Sequence, residues 1–461
     1  HYYASLSYYL TSTFARVFGT DPVNSLRLLI AVCMLGGAAG MYLFMQPRAG
    51  KLGGVLAALS FTYSPYILFT EPYARGAYPE MTALALTPII LWRYQRLMQT
   101  RSARAFLLAA LSSGALILTH NLMALVMTAL LGGWLVWEWG LRVLRTQYTV
   151  HSGKATSDQR SAASQTNDSA EYGALNTDRA DAKNRVPTRA SSSGSSLSEP
   201  PATSHPLARL TTFLPFAALV TGLLLTAYFW LPIMQEGETV RLGNLTNDAG
   251  VPELDYRNFF VPLGDLLAAS PRPDAGAVNG LEHRLNLGVM QWLLAVGGLV
   301  VCGWLLVATS RQLPAKSHQP SASPLSLTTS HPLSATVYFA LAGLACIFLM
   351  LPQAEGVWSL VRPFALLQFP WRLLGPAAVC LAVVGGMVGN IWSSRFTVHS
   401  SQSNPVQSKV HENRTLFRNQ SFALGIVYCV LCTLIVVTAA PTLYADEWEH
   451  ETVDTSVAGY H

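Results

Sequence analysis

Long runs of Leu, Ala, Val, Ile and Phe recur from one end of this chain to the other, separated by short polar connections. Crossing about 30 Å of hydrocarbon takes roughly 20 apolar residues in a helix, because only helices and closed barrels satisfy their own backbone polar groups in lipid. The pattern therefore predicts an all-α integral membrane protein with about ten transmembrane helices. The expected spans are Asn24–Met45, Leu52–Thr70, Ala77–Trp92, Ala105–Thr119, Leu122–Trp139, Leu210–Leu231, Leu285–Ala308, Ala335–Leu351, Leu373–Trp392 and Phe422–Ala440.

Polar stretches divide these spans into groups. Residues 1–23 are expected to close an extracytoplasmic loop, and residues 24–145 to hold the first five spans. Residues 146–207 form a cytoplasmic loop, and 208–308 hold spans six and seven around an outer loop at 233–284. Residues 309–334 form a second cytoplasmic loop, 335–392 two further spans, and 393–420 a third cytoplasmic loop. The last span lies within 421–440, and 441–461 form an extracytoplasmic tail. Segments such as "RASSSGSSLSEPPATSHP" have too little apolar surface to offset the entropy of ordering them, so the three cytoplasmic loops are expected to be disordered. The chain opens at His1 without an initiator Met and ends in a polar tail, so it is expected to be a piece of a longer protein.

Composition agrees with the pattern: 51% of residues are hydrophobic, only 12% are charged, and the mean hydropathy is positive. The net charge of +5 matters less than its placement. Short basic connections such as "QPRAGK" and "RYQRLMQTRSAR" fall on one side when the spans alternate, which makes that side cytoplasmic. The stretch "TEPYARGAYPE", Thr70 to Glu80, then lies outside the cytoplasmic membrane. All six cysteines sit inside apolar spans and act as small hydrophobes. Cys429 and Cys432 form a C-x-x-C without a second pair, too little for a metal site. Nucleotide-binding glycine loops and hydrolase elbows are missing, and nothing points to nucleic acid.

Four short patches carry charge or hydrogen-bonding groups at the ends of greasy runs. In "PYARGAYPEM", Pro79 suits the first position of a helix and Glu80 its first turn. The helix dipole alone explains a carboxylate there, and so does catalysis in a polar cavity. Arg75, next to Gly76, suits a phosphate or carboxylate because its planar fork donates two parallel bonds; snorkelling to headgroups explains it too. In "QFPWR", Pro370 can start a helix, leaving Trp371 and Arg372 in a first turn, where the dipole disfavours a cation unless an anion sits nearby. Interface anchoring is the alternative. In "THNL", His120 and Asn121 alone separate two apolar helices. The preceding helix, about 15 residues or 22 Å long, is shorter than the hydrocarbon is thick, so His120 is expected below the outer surface. There it sits in a helix–helix hydrogen bond or a water-filled site. Finally, "YFWLP" leads to Glu236 and Glu238, more simply read as solvated loop carboxylates.

Read in order, "YARGAYPE", "THNL", "YFWLP" and "QFPWR" resemble the bacterial membrane proteins labelled 6-pyruvoyl-tetrahydropterin synthase-related, which are similar to GT-C glycosyltransferases. The resemblance implies a GT-C-like bundle that transfers a sugar from a polyprenyl-phosphate donor to an extracytoplasmic acceptor. It implies Glu80 as a catalytic or assisting carboxylate, with Tyr73, Arg75, His120, Asn121, Trp371 and Arg372 binding substrate. Such enzymes place their main acidic residue in the first outer loop, so that residue is expected upstream of His1. The cofactor stays unassigned, a divalent cation being compatible. Two other classes stay open: a flippase or transporter of lipid-linked substrate, and a non-catalytic membrane scaffold whose arginines grip headgroups.

Overall fold

A computed structural model of the chain describes residues 4–144, 211–235, 255–270, 285–311, 331–391 and 410–442. Among these every regular element is helical. An amphipathic helix α1 (Leu6–Phe18) ends at Gly19, whose left-handed backbone (φ 62°) turns the chain. Helix α2 (Pro22–Thr62) starts at Asp21, whose carboxylate accepts the backbone N–H groups of Val23 and Asn24. These bonds hold the Asp21 carboxyl below the usual carboxylate range.

Although α2 reads as one element, Gly50 (φ 73°, ψ 180°) breaks it after Pro47. A Cβ on Gly54 would lie 3.1 Å from the carbonyl oxygen of Tyr42. A straight helix would hold those positions about 18 Å apart. The chain therefore folds back at Gly50 into two antiparallel limbs, corresponding to the expected spans Asn24–Met45 and Leu52–Thr70.

The second limb runs on into a π-helical segment, Tyr66–Ala74, where Arg75 N–H bonds the carbonyl of Thr70 at 2.9 Å. The expected loop at Thr70 is thus still helical. Pro72 gives the physical reason: inside an α-helix its ring clashes with the carbonyl four residues back, and a wider turn relieves the clash.

Next come α3 (Tyr78–Thr100), α4 (Ala103–Thr119) and α5 (Asn121–Leu144). The helical pair α6 (Leu214–Leu225) and α7 (Ala227–Gln235) is broken at Thr226. Helices α8 (Val289–Arg311), α9 (His331–Met350), α10 (Leu374–Gly386) and α11 (Val410–Ala439) are the remaining long ones, with short helices at Leu263–Leu267 and Glu355–Leu360. By length and composition, five helical segments among the described residues can cross a membrane: Pro22–Ala74, Asn121–Leu144, Val289–Val307, Leu333–Met350 and Pro370–Gly389. Ala103–Thr119, Leu214–Leu225 and Gly425–Ala439 are shorter apolar helices. Most of the three expected cytoplasmic loops, and Glu236 and Glu238, lie outside the described residues.

The chain divides into two compact units, one formed by 1–135 with 214–461 and the other by 136–213. In the second unit the rings of Trp139 and Phe213 pack at 6.3 Å. The first unit is organised around α10, every residue of which is buried. It packs against α2, α8 and α9. Glycines set these distances: a Cβ on Gly386 would meet the Gly53 carbonyl oxygen at 2.9 Å, and one on Gly389 the Gly53 nitrogen at 2.2 Å. Such close backbone approach drives helix association where lipid removes the hydrophobic incentive. Elsewhere the core is aromatic, with Phe44 edge-on to both Trp134 and Phe339.

Candidate functional site

Four elements deliver the polar side chains that meet where the π segment, α3, α5 and α10 begin or end. The π segment supplies Tyr66 and Glu71, and Arg75 follows directly after it. Helix α3 begins at Tyr78, with Pro79 and Glu80 in its first turn, as the sequence predicts. His120 stands between α4 and α5. Arg372 lies on a 3-10 turn, Pro370–Leu373, that leads into α10.

Glu80 is the hub. Its side chain is buried, and its Oε2 lies 3.0 Å from Arg75 Nη1, 3.7 Å from Arg372 Nε and 3.9 Å from His120 Nε2. Its Oε1 accepts the Tyr66 hydroxyl at 3.3 Å. The anion that a cation at Arg372 requires is therefore supplied within the protein, from another helix. Arg75 also pairs with Glu71 and donates to the Tyr66 oxygen. Burial opposes the charge on Arg75, but the oxygens of Glu80, Tyr66 and Glu71 outweigh it and push its pKa above its ordinary value.

Arg372 is held differently. Its Nη1 donates to the carbonyl of Leu367 at 2.9 Å and faces Gln368 Oε1 at 3.5 Å. Gln368 has φ 62°, a left-handed backbone unusual for a side chain of this size, and it folds the loop back toward that guanidinium. The Nε of Arg372 is buried and has no hydrogen-bond partner. Glu80, at 3.7 Å, attracts it without bonding it.

His120 has a fixed orientation. It is the N-cap of α5: its Nδ1 accepts the backbone N–H of Met123 at 3.1 Å, and its carbonyl accepts that of Ala124 at 2.8 Å. An Nδ1 that accepts carries no proton, so the neutral imidazole bears its hydrogen on Nε2, the atom facing Glu80. At 3.9 Å this nitrogen lies near the carboxylate without bonding it.

Aromatic rings wall this cluster. The guanidinium of Arg75 lies 4.7 Å above Trp371, which stacks on Phe369 at 5.1 Å, and Phe259 meets Phe369 edge-on at 4.7 Å. Cation–π contact and a dry wall both strengthen ionic pairing.

Of the residues singled out from sequence, Arg75, Glu80, His120, Trp371 and Arg372 come together. Tyr73 stands at the surface instead: it is 53% exposed, with its ring 6.2 Å from Phe69. Asn121 is exposed at the start of α5. Sequence reasoning assigned no role to Glu71 or Tyr66, both fully buried in the cluster. The signal for Glu71 was its position four residues before Arg75, a pairing distance on a helix, masked by reading this stretch as loop. Among the described residues no group of three or more His, Cys, Asp or Glu side chains is placed to hold a metal ion.

Fold and site together define a polytopic helical membrane protein with a buried ionic cluster at its helix ends. A family described as "6-pyruvoyl-tetrahydropterin synthase related domain; membrane protein" matches residues 1–153, which include Tyr66, Glu71, Arg75, Glu80 and His120. Among solved structures, the chain is similar to the archaeal oligosaccharyltransferase AglB from Archaeoglobus fulgidus, determined in complex with an inhibitory peptide and a dolichol-phosphate. That similarity has 12% identity and a TM-score of 0.39, and covers 96% of this chain and 48% of AglB. The chain thus spans about half the length of that protein. No curated protein matches.

Proposed function

We propose that the protein is a membrane glycosyltransferase of GT-C type, taking its sugar from a polyprenyl-phosphate donor on the extracytoplasmic side of the cytoplasmic membrane. The observation that supports this reading most is the meeting of Arg75 and Arg372, nearly 300 residues apart in sequence, at one partly accessible cluster (side chains 12% and 11% exposed). Sugar transfer from a lipid phosphate leaves negative charge on the departing phosphate. Preorganised guanidinium groups in a dry setting stabilise that charge as it develops. Arg372 suits direct contact, because its Nε is still an open donor. Arg75 is already bonded by two carboxylates and supplies positive potential alongside.

Glu80 fits a positioning role better than that of a base. A base must approach the acceptor hydroxyl with a free lone pair, whereas Glu80 is buried and engaged by Arg75 and Tyr66. The proton acceptor is then a residue outside this cluster.

The test is sugar transfer by the full-length protein in proteoliposomes loaded with a labelled polyprenyl-phosphate sugar. Arg372→Gln should lower the transfer rate by about 100-fold, the cost of removing one donor to a developing oxyanion, while the protein stays monodisperse. Undiminished transfer by the variant would refute the assignment. Lipid translocation across the bilayer without transfer would point to the flippase reading instead.

A further inference from the structure

We infer that Glu80 is a built-in stand-in for the ligand's phosphate: its carboxylate occupies the ground beside Arg372 that a phosphate monoester takes, and the ligand binds by exchanging places with it. This rests on the reading of Arg372 as a phosphate contact and adds how that contact is controlled.

The pairing within the cluster is lopsided. Arg75 faces two carboxylates, Glu71 and Glu80, and the Tyr66 oxygen as well. Arg372 faces two neutral oxygens through Nη1, and only the distant Glu80 through Nε. An open buried donor on a charged group is costly, and Glu80 offsets that cost only in part from 3.7 Å. The Nε atom carries a single hydrogen, so Glu80 and a phosphate oxygen compete for it.

Glu80 also has somewhere to go. Arg75 Nη1 already holds its Oε2 at 3.0 Å, and the Nε2 of His120 lies 3.9 Å from the same oxygen. Because the Met123 N–H fixes the tautomer, the hydrogen on Nε2 is available to close onto the carboxylate as it leaves Arg372. A network that only holds helices together would be indifferent to phosphate. A stand-in must be in competition with it.

The two cases differ in sign. In nanodiscs holding the full-length protein, binding of decaprenyl monophosphate is measured for the wild type, Glu80→Gln and His120→Asn. Inorganic phosphate serves as competitor to separate a lipid-borne headgroup from the free anion. Glu80→Gln keeps the shape of the side chain and removes the competing charge, and should bind about tenfold more tightly or better, since like charges oppose one another strongly in such a setting. His120→Asn keeps a good N-cap for α5 but takes away the waiting donor, and should bind several-fold more weakly.

Glu80→Gln binding no better than the wild type overturns the stand-in and leaves the phosphate site intact. Should that variant fail to fold, unchanged affinity in His120→Asn overturns it equally. If neither the wild type nor Glu80→Gln binds the lipid phosphate, the proposed function falls together with this inference. Displacement of the lipid by millimolar inorganic phosphate would assign the site to the free anion and overturn the lipid-borne class of ligand.

Discussion

Arg75 is the cation that both buried carboxylates of the cluster share. Removing it leaves Glu71 and Glu80 buried without a guanidinium, and breaking such a pair from one side costs about 3–5 kcal/mol because a charge is left uncompensated. Arg75→Ala is therefore expected to lower the thermal unfolding midpoint of the detergent-purified protein clearly. Adding Glu71→Gln should restore part of the loss, since one stranded charge is then gone. If the double variant melts no higher than the single one, the two groups are not energetically coupled. The open Nε of Arg372 is the opposite case: a buried donor without a hydrogen-bond partner, which weakens the protein.

At the level of elements, the helical membrane class was legible because apolar runs of membrane length have few other solutions, whereas five segments rather than the ten expected are long and apolar enough to cross among the described residues. The charged patches were legible because ions stand out inside such runs. What could not be read was winding. Counted as α-helix, Leu52–Thr70 runs out at Thr70 and leaves Glu71 in a loop. The π segment continues to Ala74 and buries Glu71 and Tyr66 beside Arg75. Nor does sequence show which helix meets which, so the counter-ion of Arg372 was expected from a ligand, whereas the fold brings up Glu80 from α3.

Helix contacts bring their own expectation. Gly389 stands against the Gly53 backbone, where an added methyl would come within 2.3 Å of nitrogen and Cα. Gly389→Ala must part the helices and is expected to cost about 1–3 kcal/mol, as overpacking does. Gly303→Ala, with nothing near its Cβ, should leave the melting midpoint unchanged. Equal melting of the two variants would show that the contact between α2 and the turn after α10 tolerates the extra methyl.

For the whole molecule, the placement of the arginines makes a testable prediction of orientation. If the turn at Arg101 is cytoplasmic, the cluster around Glu80, at the opposite end of α3, is extracytoplasmic. In a variant freed of its six cysteines, Ala77→Cys should react with a membrane-impermeant maleimide on intact cells, and Thr100→Cys only after permeabilisation. The reverse pattern would invert the topology.

The glycine contact between α2 and α10 also has a mechanical consequence. One path leads from Gly53 through the turn at Tyr63 and the π segment to Arg75, and the other from Gly386 back to Arg372, so the two guanidinium groups ride on levers about 20–30 Å long, pinned together near their far ends. A tilt of about 5° at that pivot shifts the tips by about 2 Å at such lengths, enough to turn a near-contact into a bond or to break one. A methyl group or a lipid wedged at the Gly53–Gly386 contact would therefore change the spacing of the two guanidinium groups at the far end of the helices without touching a single charge.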